Sequence, residues 1–166
     1  MITIRDAKTE DIDRINDIYN HVVNEKFKVA YLTPWTREMR SVWFEEHNDG
    51  NYPVCVAEID DVVVGFVFIQ PYRRGRIALK QSAEISYFVD NQYRKMGIGE
   101  KLIKYMESEC CMRGIKTLLA IIIDNNEASI RLTEKCGYEK WGHLPKVATF
   151  DDVEVGHLYY GKRITP

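Results

Sequence analysis

The chain has 166 residues, 45% of them hydrophobic and 29% charged, with a formal net charge of −2 at pH 7. This composition predicts one globular domain with a sizeable core and argues against intrinsic disorder. The nearly balanced charge argues against nucleic acid or a membrane surface as a partner, and no apolar run approaches the roughly 18 residues that a membrane-spanning helix needs.

The cysteines and histidines do not have the spacing of a metal site. Cys55, Cys110, Cys111 and Cys136 form no Cys-x-x-Cys pair, and no histidine lies at metal-ligand spacing. We therefore expect reduced thiols and no bound metal. Residues 1–6 carry no apolar signal segment, so we expect a cytoplasmic protein.

The first half of the chain combines helical periodicity with short β-branched runs. In chain order the predicted elements are a strand at 2–5, a helix whose apolar face runs from Ile12 to Val23, a helix at about 36–47, and strands at 54–59 and 62–70. Asp60-Asp61 predicts a hairpin between the last two strands, and Asp49-Gly50-Asn51 predicts a turn before them.

The second half continues this alternation of strands and helices. Its predicted elements are a strand at 82–89, a helix from Ile98 to about Gly114, a strand at 117–123, a helix at about 127–136, and strands at 138–143 and 153–160. The run at 117–123 is almost continuously apolar, which is typical of a strand buried on both faces and parallel to its neighbour. The order β-α-α-β-β-β-α-β-α-β-β predicts one mixed α/β domain over residues 1–166.

The most informative stretch joins the strand at 82–89 to the helix that follows it. It reads Arg94-Lys95-Met96-Gly97-Ile98-Gly99. A strand that turns through glycines into a helix aims unpaired backbone N–H groups at one point, where the helix dipole adds positive potential. An anion such as a pyrophosphate fits there, because glycine lets it approach the backbone closely. A tight turn between strand and helix is the alternative interpretation.

The element order and the motif Arg94-x-x-Gly97-x-Gly99 resemble the GCN5-related N-acetyltransferases over nearly the whole chain. Within that superfamily the chain looks most similar to the phosphinothricin and methionine-sulfone type acetyltransferases. The residues that carry this closer resemblance are Ile18-Tyr19-Asn20-His21, Trp43-Phe44-Glu45-Glu46, Val63-Val64-Gly65-Phe66, the strand residues Glu84, Ser86, Tyr87 and Val89, and Asp124-Asn125 with Ser129-Ile130.

The resemblance implies acetyl-coenzyme A as acetyl donor and no metal. It also implies a mostly antiparallel, twisted sheet with about four helices, in which a parallel central strand pair splays around the donor. The donor-binding residues that it implies are Phe88, Val89, Arg94, Lys95, Met96, Gly97, Ile98, Gly99, Asn125 and Ser129. For Asn125 and Ser129, helix capping is the alternative interpretation.

The implied reaction is direct acetyl transfer to the primary amine of a small, amino-acid-like molecule. Glu84 is the candidate base, directly or through a water molecule, and a backbone N–H near Val89 would polarise the thioester carbonyl. We expect Tyr31, Arg73 and Arg74 to contact the acceptor, with an arginine binding its carboxylate. A core role for Tyr31 and a solvated loop for the arginines are the alternatives.

Two departures from the family pattern keep other functions open. Thr133 occupies a position where the family usually has a tyrosine or histidine that protonates the leaving thiolate, and the family's basic and aromatic residues are largely replaced at 146–156. The alternatives are acetylation of a protein or peptide, and a non-catalytic module that binds coenzyme A. The resemblance is compatible with a homodimer, because relatives of this type often form one.

Overall fold

The structure is a computed structural model that describes residues 1–47 and 50–164. Over these residues the chain forms the mixed α/β fold that the sequence predicts, with the same order of helices and strands. The helices are α1 (Ile12–Asn24), α2 (Arg37–His47), α3 (Ile98–Met112) and α4 (Glu127–Lys135). The strands are β1 (Ile2–Asp6), β2 (Val54–Ile59), β3 (Val62–Pro71), β4 (Ser82–Val89), β5 (Thr117–Ile123), β6 (Glu139–Phe150) and β7 (Val153–Arg163).

The last two strands differ in length from the sequence prediction. β6 and β7 are longer than predicted, because β6 pairs with β7 as far as Phe150 and β7 pairs with β5 as far as Arg163. Asp49, the first residue of the predicted turn, lies outside the described residues. None of the helices in the described ranges is long and apolar enough to cross a membrane.

The sheet opens between its two central strands. The strand order is β1-β2-β3-β4-β5-β7-β6, and β4 and β5 are the parallel pair. Their pairing extends only from Ser82↔Thr117 to Glu84↔Leu119, whereas β4 pairs with β3 as far as Val89 and β5 pairs with β7 as far as Ile123. Each central strand therefore follows the twist of its outer neighbour, and a gap opens beyond Glu84.

Helices cover the two faces of the sheet in pairs. α1 and α2 contribute Ile15, Ile18 and Trp43 to the core on one face, which we call the α1–α2 face. The opposite α3–α4 face has its own core, in which Leu102 and Met106 of α3 are fully buried. Because successive strand residues point to opposite faces, the chemistry-bearing residues of β4 are divided between these two environments.

Candidate active site

A cavity of about 750 Å³ passes through the gap between β4 and β5. At one end it reaches the first turn of α3, including Gly97 and Gly99. At the other end it reaches aromatic side chains between α1 and α2, including Tyr19 and Trp35. Glu84 lines the cavity between these ends, where the two central strands separate.

The α3 end of the cavity is formed mainly by backbone. Gly97 is the N-cap residue, has φ 78°, and caps the helix with no side chain. A Cβ atom at Gly97 would lie in open space with respect to the described atoms. The first N–H groups of α3 therefore face the cavity without a side-chain partner, as the anion-binding interpretation of the motif requires.

Gly99 has a different role from the one expected of it. Its backbone lines the cavity, but a Cβ atom there would lie 2.6 Å from Cδ2 of Leu132 on α4. The missing side chain therefore permits the close approach of α3 and α4. Of these two glycines, only Gly97 has open space at the position of a Cβ atom.

The side chains of the turn contribute unequally to the cavity. Nη1 of Arg94 donates a hydrogen bond of 3.1 Å to Glu25, and Nη2 forms a second contact with the same carboxylate. This ion pair attaches the turn to the end of α1. Lys95 and Ile98 line the cavity, whereas Met96 is 53% exposed and is not among the described residues that line it.

The free edge of β4 presents backbone groups to the gap. The N–H of Asp90 donates to the carbonyl of Val64 on β3 at 2.9 Å. Because hydrogen bonding alternates in direction along an antiparallel strand, the N–H groups of Tyr87 and Val89 point the other way, toward β5. Pairing with β5 ends at Glu84, so these groups remain available to an extended ligand.

The start of α4 places Asn126, rather than Asn125, in the cavity. The Oδ1 atom of Asn126 accepts a hydrogen bond of 3.4 Å from the N–H of Ser129, which makes Asn126 the N-cap residue. Asn126 and Ser129 line the cavity, and Asn125 is exposed outside it. Asparagine is a common N-cap residue, so the sequence alone does not show which of the two caps α4.

Glu84 is a half-buried carboxylate at the point where the strands separate. Nε2 of Gln70, its partner across β3 and β4, donates a hydrogen bond of 3.1 Å to Oε2. Burial raises the pKa of Glu84, while this hydrogen bond and the nearby His157 oppose the rise. Neither Gln70 nor His157 was among the predicted site residues, although Gln70 lies opposite Glu84 in the antiparallel register of β3 and β4.

The side chains at the α1–α2 end do not include the predicted arginines. Tyr31 lines the cavity and its ring centroid lies 5.2 Å from that of Trp35. Arg73 lies over the ring of Tyr72, and Arg74 lines a separate small recess, so the structure does not bring either of them into the cavity. The arginine that lines this end is instead Arg40 of α2.

Tyr87 fills the space beside Thr133 on the α3–α4 face. Its hydroxyl lies 2.9 Å from Oγ1 of Thr133 and 2.6 Å from Oγ of Ser129. Burial raises the pKa of Tyr87, so the phenol is protonated at neutral pH. β4 therefore supplies a hydroxyl at the surface of α4 where the resemblance leads one to expect a side chain from α4 itself.

The cysteines are all free thiols, and Cys55, Cys110 and Cys136 are buried. Burial raises the pKa of each of these three thiols. A raised pKa keeps a thiol in its unreactive protonated form. Across the part of the chain that the structure describes, no three His, Cys, Asp or Glu side chains gather as metal ligands.

Comparisons with known proteins agree with this geometry. Residues 16–138 match the acetyltransferase (GNAT) family. The L-methionine sulfoximine/L-methionine sulfone acetyltransferase of Salmonella typhimurium is 30% identical, over 88% of this chain and 85% of its own. The phosphinothricin N-acetyltransferase of Streptomyces viridochromogenes is 28% identical, over 86% of this chain and 77% of its own. A Salmonella typhimurium protein solved with its cofactor acetyl-CoA has a TM-score of 0.93 and is 26% identical, over 99% of this chain and 94% of its own.

Proposed function

The chain belongs to the GNAT family of acetyltransferases, of the phosphinothricin type, and we propose that it transfers acetyl directly from acetyl-CoA to the primary amine of an amino-acid-like acceptor. It is an N-acetyltransferase of small amines with acetyl-CoA as donor. The observation that carries the finer proposal is the continuity of the cavity. One cavity of about 750 Å³ connects the α3 turn, the free edge of β4, Glu84 and an aromatic end.

The residues at the α3 end fit the donor. The N–H groups of the first turn of α3 would bind the pyrophosphate, and Gly97 leaves the space for it. The free N–H groups of Tyr87 and Val89 would pair with the amide groups of the pantetheine arm or polarise the thioester carbonyl. Asn126 and Ser129 line the other side of the same channel.

Glu84 is our proposed base. The amine nitrogen forms a bond to the acetyl carbon, the bond from that carbon to sulfur breaks, and Glu84 accepts the proton that the amine loses. The α-amine of a free amino acid has a higher pKa than the ~7.7–8.0 of a peptide N-terminus, because its own carboxylate stabilises the ammonium form, so most of the acceptor is protonated at pH 7. A positioned base that takes this proton supplies about 10²–10⁴-fold in rate. Water can protonate the departing thiolate, because a thiol has a pKa of only about 8.5.

The aromatic side chains and Glu84 at the acceptor end fit an amino-acid-like substrate. Relatives named for phosphinothricin and methionine sulfoximine act on small amino-acid analogues, which supports the same class of acceptor here. Contact of Tyr31, Arg73 and Arg74 with the acceptor stays a prediction. So do the cytoplasmic location, the homodimer and the extent of the domain over residues 1–166.

A screen of acceptors tests the proposal. Thiol release from acetyl-CoA is followed with free amino acids, amino-acid analogues, simple amines and short peptides. We expect kcat/KM to be highest for a free amino acid or analogue. Higher kcat/KM for peptides would replace this proposal with peptide acetylation, and thiol release that does not respond to any amine would indicate a module that binds coenzyme A without transfer.

A further inference from the structure

Within residues 1–47 and 50–164, Arg40 is a buried cation that forms no ion pair, and it lies at the acceptor end of the cavity. It lines the cavity and is 1% exposed. Its Nε atom donates a weak hydrogen bond of 3.4 Å to Asn16, and its Nη2 atom donates none to any described residue. Arg94 and Lys135, two other cations of the cavity, are by contrast paired with Glu25 and Glu100.

Aromatic rings hold the Arg40 guanidinium in place without satisfying its N–H groups. The guanidinium carbon lies 4.3 Å from the ring centroids of Tyr19 and Trp35 and 4.6 Å from that of Trp43. A cation over aromatic faces is stabilised by their quadrupoles. Contacts of this kind occupy the faces of the planar group and leave Nη2 on its edge without a hydrogen-bond partner among the described residues.

The surrounding cage is itself fixed by hydrogen bonds. Asn20 accepts from the Trp35 N–H at 2.8 Å and donates to the Trp35 carbonyl at 2.8 Å. Asn16 donates to the same carbonyl at 3.0 Å. The loop between α1 and α2 is therefore attached to α1 at Trp35, and the guanidinium of Arg40 is held in one orientation. Burial lowers the pKa of Arg40 to about 10, so it is still a cation at neutral pH.

A buried charge that lacks a partner is strongly unfavourable, and an unsatisfied buried donor calls for a specific explanation. We propose that Arg40 recognises a carboxylate on the acceptor whose amine Glu84 deprotonates. The free edge of a guanidinium matches a carboxylate in a two-pronged pair, which a lysine ammonium cannot reproduce. This inference rests on the proposed function and names the acceptor class: amines that carry a carboxylate.

The test compares acceptors that differ only in that charge. Steady-state rates at saturating acetyl-CoA are measured with glutamate, with isoglutamine, which lacks the α-carboxylate, and with glutamine, which lacks the side-chain carboxylate. The enzymes are the unmodified protein, Arg40→Met, Arg40→Lys and the control Arg37→Met. Arg37 lies one turn earlier on α2, where its side chain is 58% exposed and paired with Asp13.

We expect Arg40→Met to raise KM by about tenfold or more for acceptors that retain the recognised carboxylate, since charge-assisted hydrogen bonds are lost. KM for the matching amide should change by less than about threefold, and Arg37→Met should change neither. Arg40→Lys should give an intermediate KM. If Arg40→Met leaves KM for isoglutamine unchanged, Arg40 binds the α-carboxylate. If it leaves KM for glutamine unchanged, Arg40 binds the side-chain carboxylate.

Three outcomes would overturn the assignment. One is an equal rise in KM for acid and amide in Arg40→Met or Arg40→Lys, which would indicate a structural cation. Another is an unchanged KM in both variants. The third applies even if Arg40→Met does not fold: no preference of the unmodified enzyme for either carboxylate over its amide. In each case, acetylation of any of these amines would leave the proposed function standing.

Discussion

The two ends of the cavity are built from different parts of the chain. At the α3 end, which we propose for the donor and call the donor end, Gly97 and the residues next to it present backbone N–H groups, and the dipole of α3 adds positive electrostatic potential. At the acceptor end, Tyr19, Trp35, Arg40 and Glu84 come from two helices, a loop and a strand. A site made of backbone responds to changes in main-chain geometry, whereas a site made of side chains responds to the loss of single functional groups.

The largest effect should come from Glu84→Gln at the acceptor end. We expect kcat to fall about 10²-fold at neutral pH, which is the low end of what a positioned base contributes. The Michaelis constant for acetyl-CoA should change little, because the donor binds elsewhere. The rate of the variant should recover partly as pH rises, because more of the acceptor amine is then neutral. An unchanged pH–rate profile would remove Glu84 from the mechanism.

The same substitution should not reduce stability at neutral pH. The folded protein raises the pKa of Glu84 above the ~4.3 of an unfolded chain. At a pH between the unfolded and the folded pKa, the folded protein therefore binds more protons at Glu84 than the unfolded chain does. Stability from this group is therefore present below the unfolded pKa and is lost as pH rises through the folded pKa. Thermal unfolding of Glu84→Gln at pH 7 should give a Tm equal to or above that of the unmodified protein. A clearly lower Tm would mean that the carboxylate has a structural role.

Gly97→Val should produce the next largest effect, on the donor end. A β-branched side chain is strained at φ 78°, and it would extend into the open space that we propose for the pyrophosphate. We expect the dissociation constant for acetyl-CoA, measured by calorimetry, to rise about tenfold or more, since at least one charge-assisted hydrogen bond is lost.

Gly114→Val is the matched control for this substitution. Gly114 follows the other end of α3, has φ 73°, and also faces open space. It should show a similar loss of stability from backbone strain without the loss of donor affinity. Equal donor affinity in the two folded variants would contradict the placement of the donor at Gly97.

These two ends also differ in how well the sequence predicts them. The donor end is local: a strand, two glycines and a helical pattern lie within a short stretch, and the structure puts Gly97 at the start of α3 as expected. The sequence does not fix positions to within one residue there, since the structure puts Asn126, and not the predicted Asn125, at the N-cap of α4 and in the lining of the cavity. The acceptor end depends on which distant side chains meet. Sequence periodicity identified α2 but could not indicate that Arg40, rather than Arg73 or Arg74, lines the cavity.

Thr133→Tyr tests how the α3–α4 face is packed. Thr133 is 1% exposed and in contact with Tyr87, so a second phenol has no room there. We expect a loss of unfolding free energy of ~1–3 kcal/mol from overpacking, measured by denaturant unfolding. Combining it with Tyr87→Val should recover part of this loss, because the two residues share one space. Strictly additive effects of the two substitutions would show that they do not compete for it.

The smallest effect should separate the two asparagines at the start of α4. Asn126→Ala removes the N-cap acceptor of Ser129, and loss of an N-cap typically costs ~0.5–2 kcal/mol. The hydrogen bond of 3.4 Å is long, so we expect the lower part of that range, about 0.5–1 kcal/mol. Donor affinity should fall as well, since Asn126 lines the cavity.

Asn125→Ala provides the comparison, because the same chemical change is made one residue earlier at an exposed position. Its unfolding free energy should stay within about 0.5 kcal/mol of the unmodified protein, with no change in donor affinity. If instead Asn125→Ala weakened donor binding and Asn126→Ala did not, the amide that the family resemblance assigned to the donor would be Asn125 after all. The start of α4 would then have to turn by about one residue when the donor binds, and the donor end would depend on a side chain as well as on the backbone.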